Sequence, residues 1–204
     1  MVSNSARASW ILALFFLLPS ACATRAPYLN PIASEADSST ALNQVIVEIK
    51  PVETTGIRNP ERERLGIDLS AYYTAFEVTI RNQTSRMVTV DGQAAHVLDD
   101  DRTSYTVLSV EESLDYYRSR GSSDEVALVL PRPFSVIKDE MGKIRQVRLK
   151  SGEIPPGGSE TGILLFRKVP PEKCLTVSLS FKGVRISGED ENREFNFTFS
   201  CAEP

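Results

Sequence analysis

Alternation of apolar and polar residues is the clearest signal along the chain. Val45, Val47 and Ile49 occupy every second position of one run, and residues 73–81 repeat the pattern. A period of two residues is typical of a strand with one buried face. Similar short runs bounded by turn residues predict further strands at 87–90, 94–98, 103–108, 162–166, 174–181 and 193–201. The pattern therefore predicts a mainly β protein.

One segment has the helical period instead. Ser109 and Glu112 have the spacing of a capping box, in which each side chain accepts a hydrogen bond from the other residue's backbone N–H. An apolar stripe at helical spacing overlaps it, made of Val110, Leu114 and Tyr117. Gly121 is suited to end the helix, since glycine adopts the left-handed conformation common there. We expect a helix over 110–120.

Two regions have weaker patterns. Residues 126–130 resemble a strand, while the apolar positions of 144–149 fit a short helix or a strand equally well. The structure of 124–150 is therefore left open by the sequence. The charged run at 61–65 predicts a loop.

The N-terminus has the order of an export signal. Arg7 precedes an apolar run at 10–18, and small residues lead to Cys22. A membrane anchor is the alternative, but nine residues at about 1.5 Å each span less than half of a hydrocarbon core of about 30 Å. We therefore expect a signal peptide over 1–21.

The end of this segment resembles the lipobox of bacterial lipoproteins. Ser20, Ala21 and Cys22 match it, whereas Pro19 stands where the family has an aliphatic residue. The resemblance implies that Cys22 is acylated, for example with palmitate, and becomes the new N-terminus. Since Ala23 is not an aspartate, it also implies a lipid anchor in the outer membrane, facing the periplasm. An ordinary cleavage site with an incidental Cys22 is the alternative.

Composition divides the rest of the chain in two. Residues 22–42 begin with the cysteine whose lipidation the lipobox resemblance implies. The rest of this range is rich in serine, alanine and proline without a sustained period, which predicts a flexible tether. Residues 43–204 then form one β domain. The formal net charge of −4 argues against a nucleic-acid partner, because phosphate binding needs a basic surface.

The chain has three cysteines, so assigning Cys22 to lipid leaves Cys174 and Cys201. Disulfides persist in exported proteins, and a hairpin would bring these two residues together. A common core face requires Val177 opposite Phe199, which moves Cys174 out of line with Cys201. A bulge or a frayed strand end near Cys174 would reconcile the two demands. Two separate buried thiols are the alternative.

Several motifs together resemble the immunoglobulin-like domain of uncharacterised bacterial cell-envelope lipoproteins. They are the strand and turn at 76–82, the hairpin around 99–105, the Pro-Gly segment at 154–157 and the strand at 162–166. The resemblance covers about 43–201. It implies an antiparallel immunoglobulin-like β-sandwich with one or two short inserted helices, and it implies no active-site residues.

The candidate chemistry is sparse. His96 is the only histidine, so the usual zinc and copper ligand sets cannot be assembled. The carboxylates of 99–101 lie in one turn without the glycine-containing spacing of a calcium loop. We expect no metal, no cofactor and no catalytic residues.

A protein contact surface is the remaining candidate site. It consists of Tyr116, Tyr117, Arg118 and Arg120 on the predicted helix. Tyrosine and arginine are enriched at binding hot spots, although tyrosines on a short helix also pack against their own domain. Both interpretations stay open.

The leading hypothesis is a lipid-anchored envelope lipoprotein that acts as a non-enzymatic binding or assembly module. Its partners would be the membrane, through the lipid, and an envelope protein. The alternative is an envelope enzyme or enzyme accessory that uses a cleft beside the segment 110–150.

Overall fold

The computed structural model describes residues 28–31, 44–54, 59–123 and 133–202. In 28–31, 120–123 and 202 only the backbone is described. The predicted signal peptide and Cys22 lie outside these ranges.

Strands dominate the described part, which confirms the mainly β prediction. The strands are β1 Tyr28–Pro31, β2 Val45–Pro51, β3 Tyr73–Asn82, β4 Val88–Val90, β5 Ala95–Leu98, β6 Ser104–Thr106, β7 Gly152–Ile154, β8 Ser159–Arg167, β9 Thr176–Ile186 and β10 Arg193–Ala202. The helices are α1 Pro60–Leu65, α2 Val110–Ser123 and α3 Phe134–Val147, and a 3-10 turn covers Pro171–Lys173.

The strands form two antiparallel sheets. In the seven-stranded sheet, β9 pairs with β10 along one edge and with β4 and β5 along the other. Strand β1 pairs with the free edge of β10, β7 with that of β4, and β6 with that of β5. The smaller sheet has the order β2-β3-β8.

A single apolar core joins the two sheets. Val47 and Val78 contribute from the smaller sheet, and Leu179 contributes from the larger one. The rings of Phe76 and Phe199 meet across this core with centroids 5.0 Å apart. The alternation found in the sequence therefore corresponds to one inward face on each sheet.

A second apolar cluster covers the outer face of β3 and β8. Tyr73 and Ile163 lie there against Leu114 of α2 and Ile144 of α3. Both faces of β8 are thus buried, which explains its continuous apolar run at 163–166.

Three helices are present in the described part, where one or two were expected. The helix predicted at 110–120 is confirmed and extends to Ser123. The open region is helical over α3, whereas residues 126–130, which resemble a strand, lie outside the described residues.

The loop predicted at 61–65 is wrong, because α1 occupies it. The Asn59 side chain accepts hydrogen bonds from the N–H groups of Glu61 and Arg62 at 2.8 and 3.3 Å. Pro60 takes the first helical turn, and Gly66 ends the helix at φ 66°. Local capping therefore outweighs the charged composition of this run.

The outer edge of β8 is covered by the chain just before α2 and just after α3. The Leu149 N–H donates to the Ile163 carbonyl at 3.1 Å, and the Leu108 N–H donates to the Leu165 carbonyl at 2.9 Å. The approach is so close that a Cβ at Gly162 would lie 2.3 Å from the Leu149 Cα. The edge that strand addition would otherwise use is closed.

Strand β1 lies inside the range 22–42 that the sequence assigns to the tether. It pairs antiparallel with β10, with Tyr28 opposite Ala202 and Pro31 opposite Phe199. Part of that range is therefore attached to the domain.

Candidate functional site

Tyr117, one of the predicted contact residues, belongs to the core. It is 1% exposed, and its O–H donates to a carboxylate oxygen of Glu140 on α3. The Tyr72 ring packs edge-on against it, with centroids 4.7 Å apart. A buried tyrosine ties two helices together through its hydroxyl, and in this conformation it cannot contact a partner.

Tyr116 is only partly buried and faces β3 and β8. Its ring lies 5.7 Å from that of Tyr73, and its hydroxyl accepts from the Lys168 N–H at 3.2 Å. The Arg167 guanidinium lies 5.9 Å from the ring centroid, within reach of a cation–π contact. Tyr116 thus holds α2 to the end of β8.

The predicted arginines are arranged differently. Arg118 is exposed and pairs with Asp115 at 3.4 Å along α2. Arg120 lies on the same helix, where only the backbone is described. The helix therefore separates the predicted set into a core tyrosine, a half-buried tyrosine and an exposed arginine.

A cleft lies beside α1 and α3. It has a volume of about 270 Å³ and is lined by Arg62, Gly66, Ile67, Asp68, Ala71, Tyr72 and Glu140. Helix α1, the following loop and α3 form its walls. Arg62 and Asp68 face each other with their nearest charged atoms 3.7 Å apart.

One oxygen of the Asp68 carboxylate is already engaged by donors of the protein itself. One of its oxygens accepts from the Thr54 hydroxyl at 2.6 Å and from the Ser70 hydroxyl at 3.2 Å. The same oxygen accepts from the Ala71 N–H at 3.2 Å. Asp68 therefore joins the end of the segment after β2 to the loop before β3, which is a structural task.

Two of the three aspartates of the β5–β6 turn hold that turn against the segment that leads into β9. Asp100 accepts from the N–H groups of Leu175 and Thr176 and, at 2.8 Å, from the Thr176 hydroxyl. Asp101 pairs with Lys173 at 3.2 Å. These hydrogen bonds lower the pKa of Asp100, the bond from the Leu175 N–H being the largest cause.

Asp99 is bonded within its own hairpin. Its carboxylate accepts from the Thr103 N–H at 2.7 Å and from the Tyr105 hydroxyl at 3.0 Å. Burial opposes its ionisation, yet the hydrogen bonds outweigh burial and lower the pKa of Asp99. Sequence reasoning placed these carboxylates in one turn and missed their contacts, since those of Asp100 span about 75 residues.

His96 is partly exposed on β5, opposite Thr106 and Ser180. Across the described ranges, no group of three or more histidine, cysteine, aspartate or glutamate side chains is placed to hold a metal ion.

Arg148 is a buried charge that the sequence did not mark. Its Nη2 donates to the Leu108 carbonyl, while its Nη1 has no partner among the described residues. Burial lowers the pKa of the Arg148 guanidinium, and electrostatic attraction to the Tyr73 hydroxyl and to the Glu111 and Glu112 carboxylates opposes this. Arg148 lies in the segment that covers the β8 edge, so we assign it to that junction.

The predicted cysteine pair is brought together at the end of the β9–β10 hairpin. Cys174 and Cys201 form a disulfide with their Cα atoms 5.6 Å apart. Val177 lies opposite Phe199 and Leu179 opposite Phe197, which is the register that a common core face required. Strand β9 begins only at Thr176, so Cys174 lies in a frayed strand end, and this reconciles the register with the disulfide. The hairpin also has a bulge, but it lies at the other end, between Arg193 and Phe195.

Cys22 and the apolar run before it lie outside the described residues. Among the residues that the structure describes, no helix is both long enough and apolar enough to cross a membrane.

No protein-family model matches the chain, and no curated protein matches it. Two solved structures are similar in part. The yjhA protein of Bacillus subtilis matches 76% of this chain and 90% of its own at 12% identity, with a TM-score of 0.40. The structural-genomics target SoR45 matches 79% and 88% at 12% identity, with a TM-score of 0.31.

Proposed function

We propose that the protein is a lipid-anchored lipoprotein of the bacterial cell envelope. Its folded part would be an immunoglobulin-like β-sandwich that acts as a non-enzymatic binding or assembly module. The lipid would lie in the outer membrane, and the domain would face the periplasm.

The pairing of cysteines is the observation that carries this proposal. The bond between Cys174 and Cys201 uses both cysteines of the domain and leaves Cys22 for acylation. A disulfide is also stable in the compartment that an exported chain reaches. Two antiparallel sheets around one core support the sandwich, and the helices on its outer face are additions to it.

The state of the polar side chains favours a binding module over an enzyme. Asp100 accepts several hydrogen bonds from a distant part of the chain, and Asp99 accepts two within its own hairpin. One oxygen of Asp68 accepts three hydrogen bonds that join two loops. A catalytic carboxylate needs a free oxygen at the position of the reacting proton. These residues instead stabilise the loops around the sheets.

Metabolic labelling with an alkyne fatty acid tests the anchor. The wild-type protein should carry the label, and Cys22→Ala should carry none, while Cys174→Ser serves as a control that keeps Cys22. Equal labelling of the wild type and Cys22→Ala would refute the lipoprotein proposal.

The end of α2 that carries Arg118 and Arg120 is our proposed contact with an envelope protein. Arg118→Glu and Arg120→Glu should weaken crosslinking to the partner in intact cells, because charge at the interface controls encounter and register. Lys182→Glu, on an exposed strand position, is the matched control. Unchanged crosslinking in both α2 variants would place the contact elsewhere.

The cleft of about 270 Å³ supports the second candidate, an envelope enzyme or enzyme accessory. Binding of small molecules there should shift the backbone NMR signals of Tyr72 and Glu140 together. A broad fragment screen without such paired shifts would refute this second candidate.

A further inference from the structure

The backbone of β10 shows which residues of β1 are hydrogen-bonded to it. The Cys201 N–H donates to the Leu175 carbonyl at 3.0 Å, so the backbone of Cys201 faces β9. Alternation along the strand then turns Ser200 and Ala202 toward β1, where Asn30 and Tyr28 lie opposite. Pro31 lies opposite Phe199, whose backbone groups face β9 rather than β1. The N–H that Pro31 lacks would therefore have made no hydrogen bond to β10.

This pairing limits how far the domain can lie from Cys22. Six residue steps separate Cys22 from Tyr28, which is at most about 20 Å of extended chain. Without β1 the first attachment would be Val45, and the same calculation allows about 80 Å. The pairing of four residues therefore shortens the effective tether about fourfold.

The pairing also selects which end of the domain is near the lipid. Tyr28 lies opposite Ala202, next to Cys201, the 3-10 turn and Leu175, whose side chain is 76% exposed. Strand β10 extends from there for nine residue steps, or about 30 Å, to the turn before Arg193. The two ends of the hairpin would thus lie at very different heights above a membrane.

We propose that β1 fixes the orientation of the domain on the bilayer that holds Cys22, with the disulfide end facing the lipid headgroups. This inference rests on the proposed acylation of Cys22. The turn at 187–192 then faces away from the membrane, toward the space where an envelope partner is met. Two carboxylates at the disulfide end, those of Asp100 and Asp101, are held by protein donors.

Energy transfer to the bilayer tests the orientation. Residues 22–204, with the disulfide oxidised, are coupled through the Cys22 thiol to a maleimide lipid in phosphatidylcholine vesicles containing an acceptor-labelled lipid. A donor dye is placed on a non-canonical amino acid at Glu172 or at Glu191, two exposed glutamates at opposite ends. We expect at least about twofold higher transfer from position 172, because the heights differ by about 30 Å.

Two proline variants separate the role of β1 from that of the anchor. Asn30→Pro removes an N–H that faces Ser200 and should bring transfer from position 172 down toward that from 191. Leu29→Pro removes an N–H that faces away from β10 and should leave the twofold difference in energy transfer between positions 172 and 191 intact. Equal transfer from both positions in the unsubstituted protein, or no effect of Asn30→Pro, would overturn the proposal.

The chemical coupling keeps this test independent of natural acylation. If membrane-extracted protein has an unmodified Cys22, the proposed function fails even when the transfer difference is found. If Cys22 is acylated and transfer is equal at both positions, the orientation fails and the anchor stands.

Discussion

Loss of the Cys174–Cys201 bond should destabilise the domain by a predictable amount. The bond joins residues 27 apart in sequence, and the chain-entropy relation gives about 3.5 kcal/mol for a loop of that length at 25 °C. For a domain of this size that corresponds to a fall in melting temperature of about 10 °C. The effect is a large share of a typical total stability of about 5–15 kcal/mol.

Thermal unfolding of residues 22–204 carrying Cys22→Ser measures this loss. Cys174→Ser and Cys201→Ser should each lower the melting temperature by the same amount. The double variant should be no worse than either single one, since removal of one partner already opens the loop. The Cys22→Ser parent in a reducing buffer should have the same melting temperature as these variants. In an oxidising buffer, Cys22→Ser should leave the melting temperature of residues 22–204 unchanged.

Two outcomes would refute the reasoning. The first is a melting temperature that stays within about 1 °C of the parent in both single variants, because the bond would then contribute almost nothing. The second is the titration of two thiols in the denatured, unreduced Cys22→Ser protein. The β9–β10 hairpin would in that case depend on its phenylalanine face alone.

The remaining predictions concern packing, charge and capping. Gly162→Ala should destabilise the domain by about 2 kcal/mol or more in urea unfolding, because the added Cβ meets the backbone of Leu149. Gly152→Ala has open space around it and should change stability by about 0.5 kcal/mol or less. Equal effects of the two variants would contradict the close approach. The folded-state pKa of Asp100 is lowered, so its contribution to stability is complete above the ordinary value of 3.8 and is lost as pH falls through the lower folded-state value. Asp100→Asn should therefore flatten the loss of stability as pH falls below about 4, and an unchanged acid limb would refute this. Asn59→Ala should lower the free energy of unfolding by about 1 kcal/mol, and Asn59→Asp should lower it much less, as measured by denaturant midpoints. Identical losses in the two variants would show that the side-chain cap is not what holds α1.

The strands could be predicted because their signal is local. Val45, Val47 and Ile49 carry the period of two within a few residues, and the register of β9 with β10 followed from keeping Val177 and Phe199 on one face. Strand β1 has no such alternation in its four residues. It forms through backbone pairing with β10, far away in sequence, so nothing local indicates it.

The helical layer was harder to predict for two reasons. The charges at 61–65 obscured a helix whose caps, Asn59 and Gly66, are visible in the sequence. The direction of neighbouring side chains on α2 depends on what packs there. Tyr116 and Tyr117 look equivalent by composition, yet only Tyr117 points between α2 and α3.

The mass of the N-terminal peptide of the protein extracted from bacterial membranes tests the central claim most directly. We predict a peptide that begins at Cys22 and carries acyl chains on it, together with a separate disulfide-linked peptide pair containing Cys174 and Cys201. An N-terminus upstream of Cys22, or an unmodified Cys22 thiol, would contradict the account of an exported, lipid-anchored domain.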